Sequence, residues 1–309
     1  MTRRMLRPAR TLALIAVALV SSLGVAWHTV SRAQTKAAPK TQVVFLGTGS
    51  PRPSIDRFGP ATAIVTGDRA FLVDFGPGVV RRAAAAAERT PALEPTKITT
   101  AFVTHLHSDH TVGYPDLIFT PWVMGRSELN VYGPEGTEEM TKHVLEAWRR
   151  DIEIRTQGLE QRGALVVHAH DVAPGVVYKD DQVKVTAFRV PHGQWPQAFG
   201  YRFDTADRSI VISGDTSPSE EVIAHCQPCD VLIHEALSPT ARAPMPNWAA
   251  YSAHYHTTTD QLADVANRAR PGLVVIYHVS GRTPDEQLLA ELQKNYHGKV
   301  AIAHDLDVF

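Results

Sequence analysis

From residue 41 onward the apolar positions fall in short blocks bounded by Gly, Pro, Asp and Ser, not in long runs. Such blocks, rich in Val, Ile and Phe, predict strands over 42–46, 63–65, 70–74, 98–104, 129–132, 165–168, 183–190, 200–203, 209–213, 230–233, 273–277 and 300–303. Gly67-Asp68 supplies a turn between the second and third of these. Helices are predicted over 79–89, 135–150, 218–224, 259–270 and 284–296. Three of the starts carry a reciprocal capping pattern: Ser217 with Glu220, Thr258 with Gln261, and Thr283 with Glu286. Pro218 and Pro284 are placed for the first helical position. Strands with interleaved helices predict an α/β sandwich.

The N-terminal segment follows a different pattern. Arg3, Arg4, Arg7 and Arg10 precede an apolar run over 11–27, and Ser31-Arg32-Ala33 offers the small residues that a signal peptidase reads. The expectation is a signal peptide over 1–33, a polar linker over 34–40 and one domain over 41–309, in a periplasmic or secreted protein. With the leader removed, no stable membrane association is expected. The formal net charge of −1 supplies no overall excess to neutralise phosphates, so nucleic acid is not expected as a partner. Cys226 and Cys229 precede an apolar strand where a redox motif would follow one, which favours a structural role; an oxidising compartment would allow them to close a small disulfide.

The chemistry concentrates in His105-Leu106-His107-Ser108-Asp109-His110, where three imidazoles and a carboxylate share one loop between an apolar strand and Gly113. Neutral imidazole and carboxylate suit Zn²⁺, and also Mn²⁺ or Fe²⁺. His192, Asp215 and His278 also follow strands, where α/β folds build sites. His168-Ala169-His170-Asp171 mimics a ligand cluster but reads as a solvated strand end, and His234 reads as a hydrogen-bonded core histidine.

With these residues in this order the chain resembles the metallo-β-lactamase superfamily. The resemblance rests on the His-x-His-x-Asp-His loop and on Phe45-Leu46-Gly47-Thr48-Gly49, Leu72-Val73-Asp74-Phe75-Gly76, Pro191-His192-Gly193, Ser213-Gly214-Asp215-Thr216 and Tyr277-His278-Val279-Ser280. Phe199-Gly200-Tyr201, Ile233-His234-Glu235-Ala236 and His256-Thr257-Thr258 make it similar to the branch holding ribonuclease Z and bacterial arylsulfatase-like enzymes. Gly125-Arg126 and the string over 131–136 lean towards the arylsulfatase-like members.

The resemblance implies a four-layer αββα sandwich and a centre of two divalent metal ions, Zn first with Mn or Fe as alternatives. It assigns one ion to His105, His107 and His192, the other to Asp109, His110 and His278, and the bridge to Asp215. A hydroxide between the ions would be the nucleophile. Asp74 would orient a ligand. Glu235 would orient His256, which would stabilise developing charge and protonate the leaving oxygen; with Asp109 these form the implied catalytic set. The implied activity is that of an exported hydrolase of ester bonds, with a small aryl sulfate or phosphodiester as substrate; Trp195, Trp122 and Trp248 read first as core residues and second as an apolar wall for its organic group.

A ribonuclease Z-like phosphodiesterase or endonuclease, or a lactonase, is the alternative. The interval between His192 and Asp215 has no room for the flexible arm of ribonuclease Z, which sets nucleic acid aside a second time. A catalytically silent metal-binding protein is the reading of another class, disfavoured by the joint presence of Asp109, Asp215, Glu235 and His256. A homodimer is compatible with the sequence.

Overall fold

The structure, a computed structural model, describes residues 41–309, so the expected signal peptide and linker lie outside the described residues. The first sheet runs β1 (Gln42–Gly47), β2 (Ala61–Thr66), β3 (Arg69–Val73), β4 (Thr100–Phe102), β5 (Glu128–Gly133) and β6 (Val166–Asp171), in that spatial order. The second has β7 (Gly175–Lys179), β8 (Val183–Arg189), β9 (Phe199–Thr205), β10 (Ser209–Ile212), β11 (Val231–Glu235), β12 (Leu273–Tyr277) and β13 (Val300–Ile302), again side by side in sequence order. Each sheet begins antiparallel and turns parallel, the first from β3 and the second from β10. The helices are α1 (Val79–Ala87), α2 (Ser108–Thr111), α3 (Tyr114–Val123), α4 (Thr137–Ala147), α5 (Arg149–Gln157), α6 (Glu220–His225), α7 (Trp248–Tyr255), α8 (Thr259–Ala269) and α9 (Asp285–Gln293).

Alternate residues of a strand face opposite ways, and that alternation builds the layers. Val43 and Phe45 join Ile64, Phe71 and Phe102 between the sheets, against Tyr201, Phe203 and Ile212. There the rings of Phe102 and Phe203 meet edge to face at 5.5 Å. Val44 and Leu46 point outwards to α1 and α3, while Val211, Leu232 and Val274 point to α6, α8 and α9. The result is helix, sheet, sheet, helix: the expected αββα sandwich. Strands β10, β11 and β12 are parallel and covered on both faces, which is why they read as unbroken apolar runs.

Several elements depart from the sequence expectation. The helix predicted over 135–150 is two, because Trp148 leaves helical geometry (φ −100°, ψ 11°) between α4 and α5. Helix α3 lies outside the predicted set: Tyr114, Leu117, Ile118, Phe119 and Trp122 are all buried, so it shows little amphipathic alternation. Trp122 is therefore a core residue, its Nε1 donating to the Gly163 carbonyl at 3.0 Å, and not a substrate wall. Of the three capping boxes only Thr258–Gln261 forms. Helix α6 starts at Glu220 behind Ser219, and Pro284 (φ −57°, ψ 144°) is extended and caps α9 instead of entering it. Cys226 and Cys229 are joined by a disulfide ahead of β11. Among the described residues no helix is long and apolar enough to cross a membrane.

The loop between β1 and β2 is pinned at its base. Buried Arg57 donates to the Ala303 carbonyl (2.7 Å) and to Thr48 Oγ1 (3.0 Å), and pairs with Asp285 (2.6 Å). Asp305 accepts from the Thr48 and Phe58 amides, each at 2.9 Å. Residues 51–56 project from this clasp and are exposed.

Candidate metal centre

The site residues stand at the C-terminal ends of strands. Asp74 follows β3, the histidine-rich loop follows β4 and enters α2, His192 follows β8, Asp215 follows β10, Glu235 ends β11 and His278 follows β12. Tertiary packing thus gathers residues far apart in sequence into three groups, of which Asp215, Glu235 and His256 form one and the other two are built round the histidine-rich loop. His105, His107, His192 and Asp215 form one; Asp109, His110 and His278 form the other, with the ligand atoms of each group within 4.8 Å of one another. This is the division that the resemblance implied.

The first group converges on His107 Nδ1, which lies 2.9 Å from His105 Nε2 and 3.1 Å from His192 Nε2. In the second, His110 Nε2 and His278 Nε2 face each other at 3.3 Å, and His278 Nε2 is 3.2 Å from Asp109 Oδ2. Asp215 Oδ2 touches this group, 3.5 Å from His110 and 3.4 Å from His278.

Three observations test whether cations fit here. Imidazole nitrogens this close repel unless a proton or a metal ion lies between their lone pairs. Asp215 Oδ1 is buried with no hydrogen-bond partner, a costly state for a carboxylate oxygen that a cation would relieve. The protonation preferences agree. Burial pushes His105 and His107 down and takes His192 to about 4, so all three rings favour the neutral form; Nε2 of His107 accepts the Trp195 indole N–H at 2.8 Å. Burial opposes charge on His110 and His278 too, yet Asp215, helped by Asp74 at His110 and by Asp109 at His278, raises both, so this corner attracts positive charge. The residues fit divalent ions with imidazole and carboxylate ligands.

Supporting contacts fix the ring orientations. Asp74 Oδ2 accepts from His110 Nδ1 at 2.8 Å, and Asp74 Oδ1 accepts the Thr104 amide at 2.8 Å. His192 Nδ1 donates to the Tyr255 carbonyl at 2.8 Å. In each case one ring nitrogen is occupied and the other is turned to the site. Asp74 and His278 hold left-handed backbone angles (φ 60° and 57°), a strained conformation for residues with a side chain. Gly193 (φ 55°) lets the His192 loop lie on Tyr255, whose ring would stand 2.0 Å from a Cβ placed there.

Glu235 and His256 form a separate pair beside Asp215. His256 Nδ1 lies 2.8 and 2.9 Å from the two Glu235 oxygens, and the Thr216 amide donates to Glu235 Oε1 at 2.8 Å. Burial resists charge on His256, but Glu235 outweighs it and lifts the imidazole to about 9. His256 lines a cavity of about 540 Å³ together with His107, Asp109, Asp215 and His278. Trp248 lines the same cavity; Trp195 does not, and packs edge-on against His107 with ring centroids 5.0 Å apart. His168 and His170 join no ligand group among the described residues; His170 is half-buried and stacks on Tyr132, and Asp171 caps α4 through the Glu138 amide. His234 is core, donating from Nδ1 to the Glu235 carbonyl at 2.7 Å. Tyr251 and Tyr255 were not singled out from the sequence; their spacing from Trp248 along one helix was the available signal.

Known proteins match this arrangement over most of the chain. A family model described as a β-lactamase superfamily domain matches residues 69–279. Ribonuclease Z of Mycobacterium bovis (strain BCG / Pasteur 1173P2) is 30% identical over 274 residues, covering 86% of this chain and 96% of that protein. Ribonuclease Z of Mycobacterium sp. (strain KMS) is 34% identical over 242 residues, covering 77% and 83%. The crystal structure of the short form of human tRNase Z superposes with TM-score 0.65 at 25% identity, covering 87% of this chain and 98% of that one. The metallo-β-lactamase fold protein YhfI from Bacillus subtilis superposes with TM-score 0.69 at 17% identity, covering 88% and 100%, a likeness of fold.

These relatives overturn the expectation that nucleic acid is not a partner. The missing arm does not separate the chain from them, because 274 aligned positions span 86% of this chain and 96% of the Mycobacterium bovis protein, leaving no place for an arm-sized insertion in that protein either. Net charge misled as well: Arg52, Arg242 and Arg282 line the cavity, a local excess that a whole-chain sum conceals.

Proposed function

The chain belongs to the metallo-β-lactamase superfamily, in its ribonuclease Z branch, and from that premise we propose that it is a metal-dependent phosphodiesterase whose substrate is RNA. The observation that carries this reading is the Glu235–His256 pair beside two converging groups of ligand atoms. A pair of divalent cations bound here would stabilise charge at phosphate oxygens and lower the pKa of a water. His105, His107 and His192 would hold one and Asp109, His110 and His278 the other, with Asp215 shared. Asp74 and the Tyr255 carbonyl keep His110 and His192 turned inwards. His256, with Nδ1–H committed to Glu235, is left with Nε2–H to donate to a leaving oxygen. Glu235, fixed in turn by the Thr216 amide, keeps that imidazole protonated and aimed.

Aryl sulfate gives way to phosphodiester as the favoured ester because the relatives bear the name ribonuclease Z. The test is turnover of single-stranded RNA, bis(4-nitrophenyl) phosphate and 4-nitrophenyl sulfate, run beside metal analysis. Diester cleavage is expected, lost on chelation or in His110→Ala, and restored to the chelated wild type by Zn²⁺ or Mn²⁺. Sulfate turnover without any diester cleavage would overturn the reading, as would two bound metals with no turnover at all.

A further inference from the structure

The cavity beside the ligand groups has two features that those groups do not explain. Helix α7 carries Trp248, Tyr251 and Tyr255 at three- and four-residue spacing, hence on one face. Their rings form a ladder, Trp248 to Tyr251 at 5.8 Å and 30°, and Tyr251 to Tyr255 at 4.6 Å and 17°. No residue of α7 is buried, so the ladder is not core packing; Trp248 and Tyr251 line the cavity. Trp248 is held in place by its Nε1, which donates to the Ala241 carbonyl at 2.8 Å.

The second feature is charge. Arg52, Arg242 and Arg282 come from three separate loops, and no Asp or Glu lines the cavity apart from Asp109 and Asp215. Two of these loops are stitched together, Arg282 donating to the Arg242 carbonyl at 3.0 Å. Arg52 sits on the loop whose base is pinned by the Arg57–Asp285 pair and by Asp305. A lone monoanionic ester has no use for three guanidinium groups. Stacking rings next to cations is the combination that single-stranded nucleic acid uses, bases on the rings and phosphates on the charges.

We propose that this cavity is a subsite for the single-stranded nucleotides flanking the scissile bond, with a base stacked on Trp248 and Tyr251 and the flanking phosphates held by Arg52, Arg242 and Arg282. This rests on the phosphodiesterase reading above and names the part of the substrate that the site grips. The metal-loaded protein is assayed on a fluorescein-labelled single-stranded RNA oligonucleotide, by cleavage and by anisotropy, and on bis(4-nitrophenyl) phosphate, which has no flanking phosphate. Trp248→Ala should weaken oligonucleotide binding about 10-fold or more, and Trp248→Phe should restore most of it. Replacing the three arginines by Ala should lower the salt slope of log Kd by about 1 for each phosphate left without its guanidinium, and replacing them by Lys should retain it. Both sets of variants should lose more on the oligonucleotide than on the small diester.

Equal losses on the two substrates, or a salt slope unchanged without the arginines, would overturn the subsite. So would a Trp248 effect confined to the small aryl diester, which would make the occupant a small aromatic ester. If the wild type cleaves neither substrate, the phosphodiesterase reading fails by itself, and the anisotropy measurements still decide the subsite: absent or salt-independent binding of the oligonucleotide overturns it.

Discussion

Replacing Glu235 by Gln keeps the shape of the side chain and removes the charge that holds His256. The carboxylate has both oxygens within 2.9 Å of His256 Nδ1, and the imidazole it supports is lifted to about 9. Without it the ring returns towards its ordinary value near 6.5, a difference of roughly 3 kcal/mol between the two protonation states. A raised pKa means that the protonated form persists as pH climbs towards 9 and is lost above it. At pH 8 the wild-type ring is about 90% protonated and the variant's about 3%, a ~30-fold loss of the competent acid; near pH 6 the two differ by less than ~2-fold. Cations on the neighbouring ligands lower the value in both proteins, so the loss at pH 8 can exceed ~30-fold, and it still shrinks as pH falls. The assay is kcat against pH for an RNA diester, whose alkoxide leaving group needs the proton, with thermal unfolding run in parallel. A defect of equal size at pH 6 and pH 8, in a variant that melts like the wild type, would refute the assignment.

Two further substitutions probe the supports of the ligands. Asp74→Asn suits the left-handed backbone at φ 60° but loses the charge on His110 Nδ1, so metal affinity should fall about 10–100-fold in a chelator competition; unchanged affinity would remove Asp74 from the support of the site. Gly193→Ala places a methyl 2.0 Å from the Tyr255 ring, whose residue also holds His192, so urea unfolding should show a loss of about 1–3 kcal/mol together with weaker metal binding. Native stability and affinity in that variant would mean that the loop shifts freely.

The candidate site was legible because its segments follow apolar strands, and strands buried on both faces announce themselves by composition. His105, Asp215 and His278 could be placed on strand ends without knowing which strands pair. What surrounds the ligands was less legible. Helix α3 lacks a polar face and α7 lacks a buried one, so neither shows the half-apolar rhythm by which a helix is recognised. That concealed both the burial of Trp122 and the half-buried ladder on α7. The capping patterns at Ser217 and Thr283 were local signals overruled by the paths of their loops: Ser217 Oγ donates to the Pro191 carbonyl instead of capping a helix. Net charge could not exclude nucleic acid, because it sums over a surface, whereas a substrate meets only the residues around one opening.

Strands β10, β11 and β12 run parallel with Ile212 beside Ile233 and Glu235 beside Tyr277. Their tips therefore stand like pegs on a rack, one interstrand step of about 4.8 Å apart. Asp215, Glu235 and His278 occupy three successive pegs, so the distance from Asp215 to Glu235 on one side and to His278 beyond it is set by main-chain hydrogen bonds. A frame spaced in this way can exchange what hangs on any one peg without disturbing the interval to the next.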